Sequence, residues 1–245
     1  METAIMAQNL CKRYGELTAL DHVSLSVGNG EIVGLLGANG AGKSTMIECI
    51  LGTKTADSGT ARILGMDPLL ERKRLFERVG VQFQEGAYQE KIKVGELCRT
   101  TACLYREALA YAPLLRQFGL EDKENSLVSE LSGGQKQRLF IVLALIPAPE
   151  VVFLDELTTG LDARARREVW KSLTELKRKG LTILLTSHFM DEVEALCDRI
   201  LILKKGKAVF CGTVQEAVAA TPCEKFEDAY LFWTDEEGSA EDENV

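Results

Sequence analysis

The stretch Gly37–Thr45, GANGAGKST, constrains the fold of this 245-residue chain more than any other. It follows the apolar run EIVGLL, which is typical of a buried strand, and a helical pattern follows it. A glycine-rich turn between a strand and a helix offers backbone N–H groups to an anion, which the helix dipole also favours. The pattern G-x-x-x-x-G-K-[ST] therefore predicts a phosphate-binding loop in an α/β domain.

Each residue type in this loop has a chemical reason to be there. Glycines allow backbone angles and a close approach that side chains would block. Lys43 is expected to reach the β- and γ-phosphates, and the Ser44 hydroxyl is expected to be a magnesium ligand. The predicted nucleotide-binding residues of the loop are Gly37, Asn39, Gly40, Ala41, Gly42, Lys43, Ser44 and Thr45.

A second motif, VVFLDE, places two carboxylates after an apolar strand, where ligands of open α/β sheets collect. Asp155 suits Mg²⁺, and Glu156 can orient an attacking water and accept its proton. With the Gly37 loop, this pair predicts that the chain binds and hydrolyses a nucleoside triphosphate. The N-K-x-D motif expected of a GTPase is absent from the sequence, whereas phosphate transfer to a small molecule stays an alternative at this point.

The remaining patterns predict an α/β fold with a mostly parallel, helix-covered sheet. Short apolar runs separated by helical patterns occur at VGVQF, VVFLD and TILLTS. The alternation of Val23, Leu25 and Val27 predicts a half-buried strand, and we expect antiparallel strands before the Gly37 loop. The run ILILKKGKAVFCG predicts a hairpin that turns at Lys205–Gly206.

Helical spacing replaces the strand patterns between residues 84 and 132, which predicts a helical insert. The stretch APLLRQFGL predicts a helix that ends at Gly119. We expect a single domain with a nucleotide-binding core (1–84 and 150–220), an insert (85–149) and an acidic, disordered tail (234–245). An earlier helix of the insert is predicted from the spacing of Val94, Leu97, Cys98, Thr101, Leu104, Tyr105 and Ala108.

Composition excludes several classes of function. The net charge of -8 and the isoelectric point near 5.1 argue against a nucleic-acid surface. Seven cysteines without a C-x-x-C pair favour a reducing cytosol over a disulfide framework or a zinc site, and Cys98 and Cys103 are expected to be buried thiols. We expect no signal peptide and no membrane span, because no apolar run approaches about 20 residues.

The stretch LSGGQKQR, which begins at Leu131, is a second glycine-rich start of a helix, without a lysine inside the loop. It resembles the signature of the ABC ATPases, the nucleotide-binding subunits of ABC transporters, and the resemblance covers almost the whole chain in motif order. It implies that two subunits pair head to tail, so that the Gly37 loop of one and the Ser132 loop of the other enclose one ATP with Mg²⁺. The implied ATP contacts from the second loop are Ser132, Gly133, Gly134 and Gln135.

The resemblance implies roles for further residues. Tyr14 stands where the family stacks an aromatic ring on adenine. Gln84 matches the glutamine that contacts Mg²⁺ and the attacking water, and His188 matches the histidine that contacts the γ-phosphate. Asp162 matches the loop that crosses to the partner subunit, and it is also expected to cap a helix. Leu157 departs from the family, which usually has proline there, and removes no ligand.

Three longer stretches resemble the ATP-binding subunits of drug, lipid and polysaccharide exporters: DSGTARILGMDP, LDELTTGLDARARREVW and TSHFMDEVEALCDRILILKKGK. FEDAYLFW resembles the short C-terminal helix of such subunits. The implied partners are a second copy or a paralogous ATPase, and a separate membrane-spanning permease that holds the chain on the inner face of the cell membrane. The alternative is an ABC ATPase of a soluble complex, such as one for iron–sulfur assembly. A DNA-repair ATPase would need coiled-coil insertions or basic surfaces, which the sequence lacks.

Overall fold

The computed structural model describes residues 3–82 and 88–235, which form two compact units. One unit comprises residues 3–27, 32–70 and 186–235 and is called here the P-loop unit. The other comprises residues 28–31 and 71–185 and is called the helical unit. Gln84 and the acidic tail from residue 236 onward lie outside the described residues.

The N-terminal part of the P-loop unit is a three-stranded sheet in which the first strand of the chain lies between the second and the fourth. The strands are β1 (Thr3–Tyr14), β2 (Leu17–Gly28) and β4 (Ser58–Ile63). Strands β1 and β4 are antiparallel, with Ile5 opposite Ile63. Val23, Leu25 and Val27 are buried and alternate with exposed residues, which confirms the predicted half-buried strand.

The remaining strands of the P-loop unit are β3 (Ile32–Gly37), β8 (Arg199–Lys204) and β9 (Lys207–Gly212). Strand β3 is buried at all six residues and runs parallel to β8, whereas β8 and β9 form the predicted hairpin around Lys205 and Gly206. The helices of the P-loop unit are α1 (Lys43–Ile50), α7 (Met190–Leu196), α8 (Val214–Ala219) and α9 (Phe226–Thr234). A core that includes Leu36, Ile202 and Phe226 joins strands β3 and β8 to helices α7, α8 and α9.

Three parallel strands form the sheet of the helical unit: β5 (Val79–Gln82), β6 (Val151–Leu154) and β7 (Thr182–Thr186). Val151 of the central strand lies opposite Val79 on one side and Thr182 on the other. The helices are α2 (Arg72–Leu75), α3 (Val94–Ala102), α4 (Tyr111–Gln117), α5 (Gly133–Leu145) and α6 (Ala163–Arg178). Two short 3₁₀ turns span Glu121–Lys123 and Val128–Glu130.

Two expectations for the helical unit were wrong. Helix α3 ends at Ala102 rather than near residue 108, because the chain tightens into a turn in which Leu104 N donates to Thr101 O. Leu104 is 73% exposed, so its apolar character does not mark a buried helix face. Cys98 is buried, and burial raises the pKa of its thiol to about 12, but Cys103 is exposed.

The predicted fold class is confirmed, with an antiparallel N-terminal sheet, otherwise mostly parallel strands, and helices α3 to α5 between β5 and β6. Helix α4 ends just before Gly119, which has a φ of 63°, as expected for a glycine that stops a helix. Among residues 3–82 and 88–235, no helix is long and apolar enough to cross a membrane.

Candidate functional site

The Gly37 loop joins β3 to α1, and two of its glycines, Gly37 and Gly42, pack against main-chain atoms of the P-loop unit. Gly42 precedes α1 with a φ of 109°, a conformation that side chains disfavour, and a Cβ there would overlap the carbonyl oxygen of Ala19. A Cβ on Gly37 would lie 2.5 Å from the carbonyl oxygen of Leu203. Glycine is therefore required at both positions by the path of the loop itself.

Lys43 lies inside this loop although it carries a charge. Its side chain is buried, and its ammonium group donates to the carbonyl oxygens of Gly37, at 2.7 Å, and Ala38, at 3.1 Å. Ser44, in the first turn of α1, is exposed. The loop thus combines a held cation, a helix start and an exposed hydroxyl, which is the chemistry that binds a polyphosphate with Mg²⁺.

The β8–β9 turn supports the loop, which the sequence analysis did not foresee. Gly206 N donates to Ala41 O at 3.0 Å, and Asp21 N donates to Gly206 O at 2.8 Å. A cavity of about 270 Å³ opens beside the loop, with Lys204 and Lys205 at its wall. These lysines add positive charge at the loop, and the sequence signal KKG had indicated only a turn.

Tyr14 ends β1 and keeps 42% of its surface exposed. The ammonium groups of Lys12 and Lys54 lie 5.6 and 5.4 Å from its ring centroid, within the range of cation–π attraction. Lys54 is paired with Glu48 at 2.7 Å, and Lys12 with Asp57 at 2.8 Å. The two pairings raise the pKa of both lysines. Two cations therefore lie close to the ring, and no sequence motif indicated them.

His188 follows β7 in the chain and is exposed. The preceding Ser187 fixes the turn in which it lies, because the Ser187 hydroxyl accepts a hydrogen bond from Phe189 N at 3.0 Å. Helix α7 begins directly afterwards, at Met190. The imidazole therefore projects from a short, hydrogen-bonded connection in the P-loop unit.

Asp155 and Glu156 lie at the carboxyl end of β6 in the helical unit. The neighbouring strand holds the first of them on both sides: Gln82 Nε2 donates to Asp155 O, and Asp155 N donates to Gln82 O, both at 3.1 Å. Glu156 has a φ of 50°, which is uncommon for a residue with a side chain and typical of functional turns. The two carboxylates therefore lie on a turn that hydrogen bonds fix at Asp155 and that is strained at Glu156.

Gln137 holds this turn from helix α5. Its side-chain amide donates to the carbonyl oxygens of Glu156 and Leu157, both at 3.0 Å, and Gln137 itself is buried. No sequence motif indicated a role for Gln137. A helical projection of SGGQKQR would place it on the inward face of α5, which is the one signal that could have found it.

The Ser132 loop begins α5 with a capping box. Gln135 N donates to the Ser132 hydroxyl at 3.2 Å, and Ser132 N donates to Gln135 Oε1 at 3.0 Å. A Cβ on Gly134 would lie 2.9 Å from Leu161 Cδ2, so packing within the chain itself leaves no room for a side chain at Gly134. A Cβ on Gly133 would meet no described atom within 4 Å, apart from its two neighbours in the chain and the backbone of its own helix.

Asp162 follows Leu161 and caps helix α6, as expected. Its Oδ1 accepts hydrogen bonds from Arg164 N at 2.9 Å and from Ala165 N at 2.8 Å. The hydrogen bond from Ala165, with that from Arg164, lowers the pKa of the carboxyl group. Through the contact of Gly134 with Leu161, the Ser132 loop and the Asp162 turn are neighbours within the helical unit.

The donor types present fit ATP and Mg²⁺. Main-chain N–H groups and Lys43 suit phosphate oxygens, while the Ser44 hydroxyl and the Asp155 carboxylate are oxygen ligands of the kind that Mg²⁺ prefers. Asp155 is half-buried and Ser44 exposed, so neither donor is closed off in its own unit.

The chain is similar in sequence to known ATP-binding proteins of ABC transporters. Residues 20–159 match the family model described as ABC transporter. The chain is 40% identical over 225 residues to Nod factor export ATP-binding protein I of Paraburkholderia xenovorans, covering 89% of this chain and 74% of the relative. It is 38% identical over 211 residues to daunorubicin resistance ATP-binding protein DrrA2 of Streptomyces coeruleorubidus, covering 84% and 66%. The chain spans between 63% and 74% of the length of the Nod factor export proteins it matches.

Solved structures give the same relationship. An ATP-binding subunit of an ABC transporter superimposes with a TM-score of 0.86 at 29% identity, covering 94% of this chain and 99% of that one. A dimeric ATP-binding cassette in a post-hydrolysis state, bound to ADP and phosphate, superimposes with a TM-score of 0.77 at 25% identity, covering 85% and 98%.

Proposed function

Because this chain belongs to the family of ABC transporter ATP-binding proteins, we propose that it powers an ABC exporter as one half of a head-to-tail ATPase dimer. Proteins of this family hydrolyse ATP, and the chain is an ATPase of this family. The dimer, the permease and the direction of transport are the parts that we add.

In the proposed cycle, the N–H groups of residues 37–45 and the Lys43 ammonium bind the phosphates of ATP. Ser44, Asp155 and Gln84 hold Mg²⁺, whose charge offsets the negative charge that develops on the γ-phosphate. Glu156 accepts a proton as the oxygen of a water molecule attacks the γ-phosphorus, and the bond to ADP breaks. His188 contacts the γ-phosphate, and Tyr14 stacks on adenine.

The observation that carries the dimer is the open space at Gly133. Glycine weakens a helix, and neither close packing nor a positive φ asks for it at this position, in contrast to Gly134 and Gly42. Since nothing within its own chain requires a glycine at Gly133, the missing side chain is best explained by a ligand that approaches this position from outside. The start of α5 favours an anion, and the γ-phosphate bound by the Gly37 loop of a partner subunit fits both properties.

Gly133→Glu tests this assignment with little harm to the subunit itself. An acidic residue in the first turn of α5 interacts favourably with the helix dipole, by about 0.3–1 kcal/mol, but it repels a phosphate that approaches from a partner. We expect the variant to bind ATP through its own Gly37 loop and to lose turnover. Gly133→Ala is the matched uncharged control, and its loss should be smaller.

Mixing variants then asks whether the loop acts across a dimer. Lys43→Ala disables the P-loop, and Gly133→Glu disables the second loop. A heterodimer of the two contains one intact composite site, so the mixture should recover ATPase activity above the sum of the separate variants. Full activity of Gly133→Glu alone, with a rate per chain independent of protein concentration, would contradict the dimer.

The export direction rests on the relatives, which are named for Nod factor export and daunorubicin resistance. We propose that a separate permease binds the dimer and holds it at the cytoplasmic face of the membrane. Coexpression with a candidate permease should shift the chain from the supernatant to the membrane pellet. Persistent recovery in a soluble complex with other proteins would instead favour the alternative of an ABC ATPase without transport.

A further inference from the structure

Strands β1 and β2 of the P-loop unit bring three potential metal ligands together that the proposed ATPase cycle does not use. The ligand atoms of Cys11, Asp21 and His22 all lie within 4.8 Å of one another. Cys11 and Asp21 are half-buried, and His22 is exposed, so a cation can reach them from solvent. A thiol, a carboxylate and an imidazole form a donor set typical of zinc rather than magnesium.

Two irregularities in the strands create this cluster. Adjacent residues of a regular strand point to opposite faces, but His22 has a φ of 52°, and its Nδ1 lies 2.8 Å from Asp21 Oδ1. On β1, Asn9 has a φ of 50°, and the register against β4 shifts between Gln8 and Cys11. Such bulges re-aim side chains, and here they bring Asp21, His22 and Cys11 to one place.

The cluster also has polar contacts with the main chain and with one lysine. His22 N donates to Cys11 Sγ at 3.3 Å, and Cys11 Sγ donates to Asn9 O at 3.7 Å. The ammonium group of Lys207 lies 3.4 Å from Asp21 Oδ2.

We propose that Cys11, Asp21 and His22 bind one divalent cation of the zinc class, with water completing the coordination. The thiolate and the carboxylate together balance the charge of the cation. In a tetrahedral zinc site, neighbouring ligand atoms are about 3.3–3.8 Å apart. The most distant ligand atoms therefore need to approach by up to about 1 Å, whereas Asp21 Oδ1 and His22 Nδ1, at 2.8 Å, need to separate by about 0.5 Å. The Lys207 ammonium is the competing cation, and metal binding displaces it from Asp21.

The proposed site is separate from the magnesium site but is linked to the P-loop through the main chain. Asp21 N donates to Gly206 O, and Gly206 N donates to Ala41 O. Sulfur and nitrogen ligands discriminate against Mg²⁺, which requires oxygen. Binding of the zinc-class cation is therefore expected both without nucleotide and in the presence of excess Mg²⁺ and ATP.

Cobalt titration of the full chain, prepared without a histidine tag and kept reduced with a non-chelating reductant, tests the proposal. Co²⁺ bound to a thiolate absorbs in the near ultraviolet, and we expect this band to saturate at one Co²⁺ per chain and to disappear when Zn²⁺ is added. No band up to millimolar Co²⁺ would overturn the proposal.

Two variants assign the ligands. Cys11→Ser removes the thiolate, and His22→Asn removes the imidazole while keeping a residue that tolerates a positive φ. Cys11→Ser should abolish the band, and His22→Asn should weaken Co²⁺ binding at least about 10-fold, the loss that even outer-shell partners of metal ligands cause. Cys211→Ser changes an exposed thiol outside the cluster and should leave binding unchanged.

Circular dichroism of each variant establishes that it is folded, and His22→Asn still decides the outcome if Cys11→Ser does not fold. An unchanged band in folded Cys11→Ser, or an unchanged Co²⁺ affinity in folded His22→Asn, would overturn the proposal. Loss of the band in Cys211→Ser alone would move the site to another thiol and would also overturn it.

Discussion

The two glycine-rich helix starts of this protein have similar composition but different physical construction. The Gly37 loop has no side-chain cap and a left-handed residue, Gly42, before α1. It buries Lys43, packs Gly37 and Gly42 against carbonyl groups of its own unit, and holds Gly40 at a φ of 80°. The Ser132 loop is closed by a side-chain capping box, and its Gly133 faces open space.

This contrast indicates where the ligand of each loop comes from. The glycines of the Gly37 loop are required before any nucleotide binds, because the loop cannot follow its path without them. The path of the chain does not require a glycine at Gly133, so a side chain there would interfere only with another molecule that approaches the loop. The first loop is complete within its chain, and we propose that the second is completed by a partner.

Glu156→Gln should have the largest effect. The amide cannot accept the proton of the attacking water, so turnover should fall about 10²–10⁴-fold while ATP binding is retained. With hydrolysis stopped, both loops stay engaged, and an ATP-bound dimer should accumulate on gel filtration. The control is Glu168→Gln, which changes an exposed carboxylate on α6. Wild-type turnover by Glu156→Gln would show that Glu156 is not the base.

Lys43→Ala should weaken binding of the triphosphate itself. Loss of a charge-assisted contact of about 1.5–3 kcal/mol corresponds to a decrease in affinity of about 10- to 100-fold. Titration of the isolated chain with a fluorescent ATP analogue measures it, with the exposed Lys179→Ala as control. Unchanged affinity would contradict the assignment of the Gly37 loop and would remove one side of the comparison.

A methyl group added to each loop tests the contrast directly. Gly42→Ala forces a side chain into a left-handed backbone and against Ala19 O, so the free energy of unfolding should fall by about 1–3 kcal/mol. Gly133→Ala should leave the midpoint of thermal unfolding unchanged or slightly higher. Equal destabilisation by the two substitutions in thermal melts would break the comparison.

Gln137→Leu should sharpen the comparison from inside the helical unit. It leaves two carbonyl groups, those of Glu156 and Leu157, without the amide that holds them. Turnover should fall about 10-fold through loss of about 1–2 kcal/mol of positioning, with KM for ATP unchanged. A rise in KM at constant kcat would mean that Gln137 acts on nucleotide binding instead.

The smallest effect is expected on stability at low pH, where the carboxylate of Asp162, which caps α6, becomes protonated. The pKa of Asp162 is lowered in the folded state, so its contribution to stability is complete above the pKa of the unfolded chain and is lost as pH falls through the folded value. Thermal melts below about pH 4 should therefore show a loss that Asp162→Asn lacks, because asparagine caps without titrating. Identical pH profiles would show that the cap bond does not depend on the charge.

The sequence by itself determined the features that depend on neighbouring residues. The alternation in β2, the buried run of β3, the hairpin at Lys205–Gly206 and the stop at Gly119 are local patterns, and the structure confirmed them. The motif around Lys43 likewise predicted a strand, loop and helix in that order. The roles assigned to the individual site residues stay predictions.

Only the tertiary structure decided which distant residues meet. Helix α3 ends at Ala102 in a tight turn and leaves Leu104 exposed, which the periodicity of the sequence does not reveal. Gln137 reaches the turn at Glu156 from a helix about 20 residues away in sequence, and Ala19 closes on Gly42 from another strand. The cysteine spacing argued against a metal site, yet two left-handed strand residues bring Cys11 beside Asp21 and His22, because backbone bulges and long-range pairing leave no period in the sequence.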